Sequence, residues 1–288
     1  MIDIMSAETL ASTDGSESHR LQCMEVWGGN QAVSTAVAMP GMDAWIYSQP
    51  DAGAESGGDV HYASSCATGA LTRVLLADVA GHGSSVADTA RRLRKLMQRH
   101  INQHTQTRFV RAMNKEFAGM TELGMFATAI ALSYDAPINR LQLCNAGHPP
   151  PLVRRAATGE WSYLQFNDRR AQNFPLGIDD VADYDEFESP IAVGDLILCY
   201  TDALPEARRE NGSMLESTGL LEMATRVDHT DPSLFIPNLL QEIQTIAKVN
   251  DDLTMLLLRP NGNRPYVPLG DKLLAPFKVL RAVASSYT

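Results

Sequence analysis

The sequence predicts an α+β fold, a layered sandwich of two mainly antiparallel sheets flanked by helices. Two observations predict it. Strand-like apolar runs come first, then two helical stretches, more strands, one helix and a last strand, an order without βαβ alternation. The chain has 288 residues, 44% of them hydrophobic, enough to bury a large core. No internal repeat or linker interrupts it. Residues 21–260 are therefore expected to form one domain, between a flexible N-terminal arm at 1–20 and a tail at 261–288.

The elements follow in order. Residues 1–20 are small, polar and acidic. Residues 23–27 and 43–48 are short strand candidates, and a Pro/Gly/Ala loop over 49–58 delivers the chain to Asp59. Residues 60–67 and 72–77 make a hairpin turning at Thr68-Gly69, and the apolar second strand ends on Asp78 and is expected to be buried on both faces. After Gly81-His82-Gly83, Ser84 or Ser85 can cap a helix whose Val86, Ala90, Leu93, Met97 and Ile101 fall at helical spacing. A second helix over 107–120 lines up Phe109, Met113 and Phe117. Strands follow at 126–134 and 140–145, then a hairpin of 151–155 with 161–166 around Thr158-Gly159. Residues 167–190 are loop-rich, with 173–178 as the structured part. A buried strand over 195–200 ends on Thr201-Asp202, and 203–230 reads as an irregular insertion. Residues 233–248 form an amphipathic helix, 253–258 the last core strand, and the proline-containing tail carries a short helix near 271–283.

Charge and composition exclude several classes. Lys plus Arg is 24 against 34 Asp plus Glu, a net charge of −10, which argues against nucleic acid as a partner and gives no support to an anionic membrane surface. The four cysteines, Cys23, Cys66, Cys144 and Cys199, form no CxxC pair, as expected of reduced, mostly buried thiols in a cytoplasmic protein. No signal peptide is visible, and no window approaches the ~18 apolar residues of a membrane span.

Four aspartates carry the chemistry: Asp59, Asp78, Asp202 and Asp251, each adjoining an apolar strand-like run. One Asp at a strand end is ordinarily a turn or cap residue. Four can converge at one sheet edge, and such hard oxygen ligands suit Mg²⁺ or Mn²⁺ better than zinc.

The residues in their frames are Gly58-Asp59, Asp78-Val79-Ala80-Gly81-His82-Gly83, Asn145-Ala146-Gly147-His148-Pro149-Pro150-Pro151, Pro175-Leu176-Gly177, Gly194-Asp195 leading to Tyr200-Thr201-Asp202, and Asp251-Asp252-Leu253-Thr254. In these, in their order and over about residues 57–259, the chain resembles the bacterial SpoIIE/RsbU-like branch of the PP2C-type (PPM) metal-dependent serine/threonine protein phosphatases. The resemblance implies a PP2C-like α-β-β-α sandwich and a site for two Mn²⁺ or Mg²⁺ ions. Asp78 would bridge them, with Asp202 and Asp251 on the first ion, the Val79 carbonyl on the second, and Asp59 holding the second directly or through water. Two such ions activate a water for in-line attack, so no reactive cysteine is needed. Asp78 and Asp202 are the expected catalytic carboxylates, and Asp252 is expected to orient them.

His82 invites a general-acid role. In eukaryotic-type relatives the histidine lies closer to the bridging Asp, so turn packing is the other reading. Ala203 stands where the family usually has Gly, which would alter a turn needing positive φ. His148 falls where those relatives carry a third metal-binding Asp, and no phosphate-clamping Arg can be assigned.

His100 and His104 have zinc-ligand spacing on a helix but lack an HExxH frame, and read as an exposed face. The Arg/Lys run at 91–99 reads as a solvated face or as a docking surface for an acidic partner. Three functions compete: a cytoplasmic phosphatase acting on phosphoserine or phosphothreonine in a protein, a non-catalytic signalling module of the same fold, and a small-metabolite phosphoesterase. By family analogy the substrate is a small signalling protein such as an anti-sigma-factor antagonist. No sensor domain is visible, so control is expected from a separate regulatory protein, from homodimerisation or from the tail.

Overall fold

A computed structural model describes residues 18–21, 25–65, 70–80, 84–100, 103, 105–120, 125–164 and 173–263. The strands are β1 (His19–Arg20), β2 (Val26–Gly29), β3 (Val33–Met39), β4 (Met42–Gln49), β5 (Asp59–Ser65), β6 (Leu71–Val79), β7 (Ala127–Asp135), β8 (Arg140–Ala146), β9 (Leu152–Arg154), β10 (Trp161–Tyr163), β11 (Phe187–Pro190), β12 (Leu196–Tyr200), β13 (Arg208–Arg209), β14 (Ala247–Lys248) and β15 (Leu253–Pro260). The helices are α1 (Ser84–His100), α2 (Gln106–Met120), α3 (Glu216–Arg226) and α4 (Pro232–Gln244). One sheet runs β1-β3-β4-β15-β12-β9-β10, a second runs β11-β8-β7-β6-β5-β2, and β13 pairs with β14 in a small ribbon. Among the described residues, only the β1–β3 pair is parallel.

Side chains on a strand alternate between faces, and here both faces are covered. Along β6, Val74 and Leu76 point into a core between the sheets, where they meet Ile46, Ile197 and Leu256. Leu75, Ala77 and Val79 point the other way, onto Leu93, Met97, Phe109 and Phe117 of α1 and α2. The outer face of the first sheet packs Tyr200, Leu253 and Met255 against Phe235, Leu239 and Ile243 of α4. The layers are thus helix, sheet, sheet, helix, and the expected burial of β6 on both faces holds.

Several elements differ from the sequence reading, among them β1 inside the expected N-terminal arm and β13 inside the expected insertion. β3 was not foreseen, although Val33, Thr35, Val37 and Met39 alternate before the Pro40-Gly41 turn. β11 lies inside the stretch read as loop and pairs antiparallel with β8. α3 lies inside the expected insertion. It has no side-chain N-cap, and Gly219 sits in its middle, so both usual helix signals are missing. A Cβ at Gly219 would come 2.8 Å from Leu215 Cδ1 and 3.0 Å from Arg209 Nη2, so an alanine there must displace the buried Leu215 side chain or the Arg209 guanidinium. α4 stops at Gln244, and Ala247–Lys248 leave it to pair with β13. The Thr68-Gly69 turn, Cys23, Cys66 and the helix expected near 271–283 lie outside the described residues.

Candidate active site

The strand register assembles one edge of the sandwich. Asp59 of β5 lies opposite Asp78 of β6, and Asp78 lies opposite Thr128 of β7. Cross-strand partners share a face, here the one turned to the other sheet. In that other sheet β12 and β15 are antiparallel neighbours, with Tyr200 paired to Met255. The end of β12 and the start of β15 therefore coincide, which brings Thr201-Asp202 and Asp251-Asp252 to the same edge as Asp59 and Asp78.

Here hydroxyls replace the apolar side chains of the inner faces. Ser48 Oγ and Thr254 Oγ1 are 2.9 Å apart. The Thr254 amide donates to Thr201 Oγ1 at 3.0 Å. The Thr201 hydroxyl donates across the gap between the sheets to Asp59 Oδ2 at 2.9 Å. This buried bond ties the two carboxylate-bearing sheets together.

Asp252 has a different task. Its Oδ1 accepts from the Asp51 amide at 2.6 Å and its Oδ2 from the Gly58 amide at 2.5 Å. It thereby pins the loop leading into Asp59. The two glycines there are steric necessities. A Cβ on Gly57 would lie 2.6 Å from the Asp252 carboxyl, and one on Gly58 would lie 2.9 Å from Val86 Cγ1 and 3.1 Å from the Val79 carbonyl oxygen.

The electrostatics record the crowding. Burial, then the Asp78 charge, pushes Asp59 well above the usual carboxylate range, against the opposing bonds from Thr254 and Thr201. Burial, then the charges of Asp202, Asp251, Asp252 and Glu206, raises Asp78 to about 7. Burial, then Glu206 and Asp251, raises Asp202 to about 6. Asp251 is raised too, chiefly by burial, with Asp252, Asp51 and Glu206 adding to it. Asp59 thus feels Asp78, Asp78 feels Asp202 and Asp251, and Glu206, which acts on Asp78, Asp202 and Asp251, is a fifth member that the sequence reading missed. Its signal was proximity to Asp202, whose carbonyl accepts from the Glu206 amide at 2.9 Å.

Among the described residues, no three His, Cys, Asp or Glu side chains close on a single metal-sized position. The donor set nevertheless fits divalent cations. All donors are hard oxygens, and Asp59 Oδ1 is a buried carboxylate oxygen without a hydrogen-bond partner. An uncompensated charge of that kind is costly unless a cation meets it.

The other expected residues fall as follows. His82 lies outside the described residues. His148 is buried, and its Nδ1 lies 2.8 Å from the Thr128 hydroxyl. Burial pushes its pKa down to about 3, so the ring is neutral. Asn145 clamps its backbone, accepting from the His148 amide at 2.7 Å and donating to its carbonyl at 2.9 Å. The Gly147-His148 turn has φ +72 at Gly147, where a Cβ would strike Pro175 at 2.6 Å. The neighbouring Leu176 exchanges backbone bonds with Ala127. Ala203 needs no positive φ, since Asn139 and Glu216 are the non-glycine residues with it among those described. His100 Nε2 lies 2.5 Å from Glu116 Oε1, and His104 falls outside the described residues. The basic face of α1 is partly engaged, with Arg94 over the Tyr62 ring and Arg99 bonded to Glu116 at 2.5 Å.

Comparisons with known proteins bear on the family and the fold. The family model described as Stage II sporulation protein E (SpoIIE) matches residues 68–261. Phosphoserine phosphatase RsbU of Bacillus subtilis (strain 168) is 24% identical over 149 residues, which is 51% of this chain and 43% of that protein. The match therefore spans less than half of the curated relative. The structure of the RsbU and RsbW domains of a Mycobacterium tuberculosis protein superposes with a TM-score of 0.69 at 24% identity, covering 89% of this chain and 72% of the other. The catalytic domain of the serine threonine protein phosphatase PstP, solved with two manganese ions, superposes at 0.52 with 17% identity, covering 76% and 97%. The family match runs from before β6 to the end of β15, takes in Asp78, Val79, Asp202 and Asp251, and covers well over half of the sequence, so this chain belongs to the SpoIIE family and has the PP2C-type fold.

Proposed function

We propose that this protein is a metal-dependent protein serine/threonine phosphatase of bacterial signalling, which hydrolyses a phosphoserine or phosphothreonine on a protein substrate. The observation that carries the reading is the convergence of Asp59, Asp78, Asp202 and Asp251 at one sandwich edge, each raised by burial and by its neighbours' charge. The catalytic unit is residues 21–260, and the proposed compartment is the cytoplasm, where the free, buried Cys144 and Cys199 stay reduced. Among the described residues, no helix is long and apolar enough to cross a membrane. A regulatory protein and a second copy of the chain remain proposed partners.

Asp78 would serve two Mn²⁺ or Mg²⁺ ions, with Asp202 and Asp251 on one side and Asp59 and the Val79 carbonyl on the other. Such ions lower the pKa of an attacking water and neutralise phosphoryl charge. The chain's own residues do the positioning. Thr201 fixes the Asp59 carboxylate, and Asp252 fixes the loop that delivers Asp59. Neither thiol among the described residues suits a nucleophile: burial raises Cys144 and pushes Cys199 up to about 12, and only a thiolate attacks. His148, held neutral by burial and bonded to Thr128, would brace the site and not act as an imidazolium acid. Ala203 lends no support to a non-catalytic module, because its backbone is unstrained.

The test is hydrolysis of p-nitrophenyl phosphate and of a phosphothreonine peptide with Mn²⁺, Mg²⁺ or EDTA. Activity should require metal and fall by about 10²-fold or more in Asp78→Asn and Asp202→Asn. Metal-independent turnover, or wild-type rates in both variants, would contradict the reading.

A further inference from the structure

The β13–β14 ribbon holds an arrangement that folding alone does not favour. Arg208 and Lys248 are directly opposite in register, so two positive side chains share its outer face. Like charges placed this way destabilise a strand pair. Both residues are exposed, and among the described residues neither forms an ion pair. The one hydrogen bond of the Arg208 guanidinium goes to the Gly212 carbonyl at 3.5 Å. On the inner face Arg209 is committed to the carbonyls of Met214 and Leu215, and Ala247 is buried.

The ribbon borders a cavity of about 270 Å³, whose walls include Arg208, Arg209, Lys248 and Asn250, with Glu210 the one acidic residue. Its position matters. Only Val249 and Asn250 separate Lys248 from Asp251, and Glu206 stands between Asp202 and Arg208 in the chain. Asn250, a wall of the groove, is the residue immediately before Asp251, so this mainly basic groove begins beside the carboxylate edge of a protein whose net charge is −10.

We infer that the Arg208/Lys248 groove is a docking surface for an acidic peptide segment, the flank of the phosphorylated residue in the protein substrate. That the segment belongs to a substrate rests on the phosphatase reading; that the groove takes an acidic segment does not. Carboxylates laid along the ribbon relieve the like-charge pair and hold the phosphoryl group over Asp78, Asp202 and Asp251. The docking selects among phosphoproteins by charge and speeds encounter at low salt.

The experiment uses the whole chain with EDTA present and a fluorescent, unphosphorylated Glu-rich peptide, read by anisotropy. Wild type should bind it saturably, and added salt should weaken binding because the charges are exposed. Arg208→Gln/Lys248→Gln should weaken it by on the order of tenfold or more. The same variant should melt no lower than wild type, which separates lost docking from lost folding. A Gln-rich peptide should bind neither protein. In turnover, a phosphopeptide with an acidic flank should show a lower KM than one with a neutral flank, and the variant should lose that difference. No binding by wild type, or full binding by the variant, overturns the inference and leaves a solvated ribbon. If the protein hydrolyses no phosphoester yet binds the acidic peptide through this pair, the phosphatase reading fails and the docking surface stands.

Discussion

Asp252 uses both carboxylate oxygens on backbone amides, those of Asp51 and Gly58. Asp252→Ala would leave both amides without their partner, so it should cost about 2–4 kcal/mol in denaturant unfolding and lower metal affinity. Asp252→Asn keeps one acceptor and should cost less. If Asp252 were a metal ligand and not an anchor, the Ala variant would lose metal without losing stability. Asp59, Asp78, Asp202 and Asp251 were legible in the sequence because each stands in a short frame beside an apolar run. The roles of Thr201 and Thr254 were not, although both stand in the same frames, and Ser48 stands in none. Their role appears only when register sets Asp59 across from Thr201 through the gap between two sheets. Glu206 was missed for a related reason: it lies in the stretch read as insertion, and only the turn after Asp202 brings it to the site.

The helical and strand periods identified α1, α2, β6 to β9 and β12, where burial is one-sided for helices and two-sided for strands. Periodicity failed at α3, whose missing cap and central glycine hide a helix held by tertiary packing of Leu220, Met223 and Ala224. This makes a prediction whose sign opposes helix propensity. Gly→Ala inside a helix ordinarily stabilises by about 1 kcal/mol. Gly219→Ala should instead destabilise by about 1–3 kcal/mol, because its Cβ would press on Leu215 and Arg209. Chemical denaturation measures it, and a stabilised variant would show that α3 can move away.

At the scale of the molecule, carboxylates gathered at one edge trade stability for function. The folded pKa values of Asp78 and Asp202 are raised to about 7 and about 6 from an ordinary 3.8. The folded state therefore holds protons that the unfolded chain releases, and the stability due to these groups is present below pH ~4 and lost as pH rises through about 6 to 7. In EDTA the site's contribution should thus favour pH 5 over pH 8, and Asp78→Asn should raise the melting temperature at pH 8 by about 5 °C while changing it little at pH 4. A variant that melts lower at pH 8 would mean that the carboxylates are not crowded. Divalent cations should reverse the pattern, since a ligand bound only by the folded state stabilises it by about 2.7 kcal/mol at a hundred times its Kd. The most direct measurement is calorimetric titration of the folded chain with Mn²⁺. Two ions per chain, with at least one lost in Asp78→Asn, is the result expected of a bridging carboxylate between paired cations. No saturable binding, or the same stoichiometry and affinity in Asp78→Asn, would contradict the two-metal site.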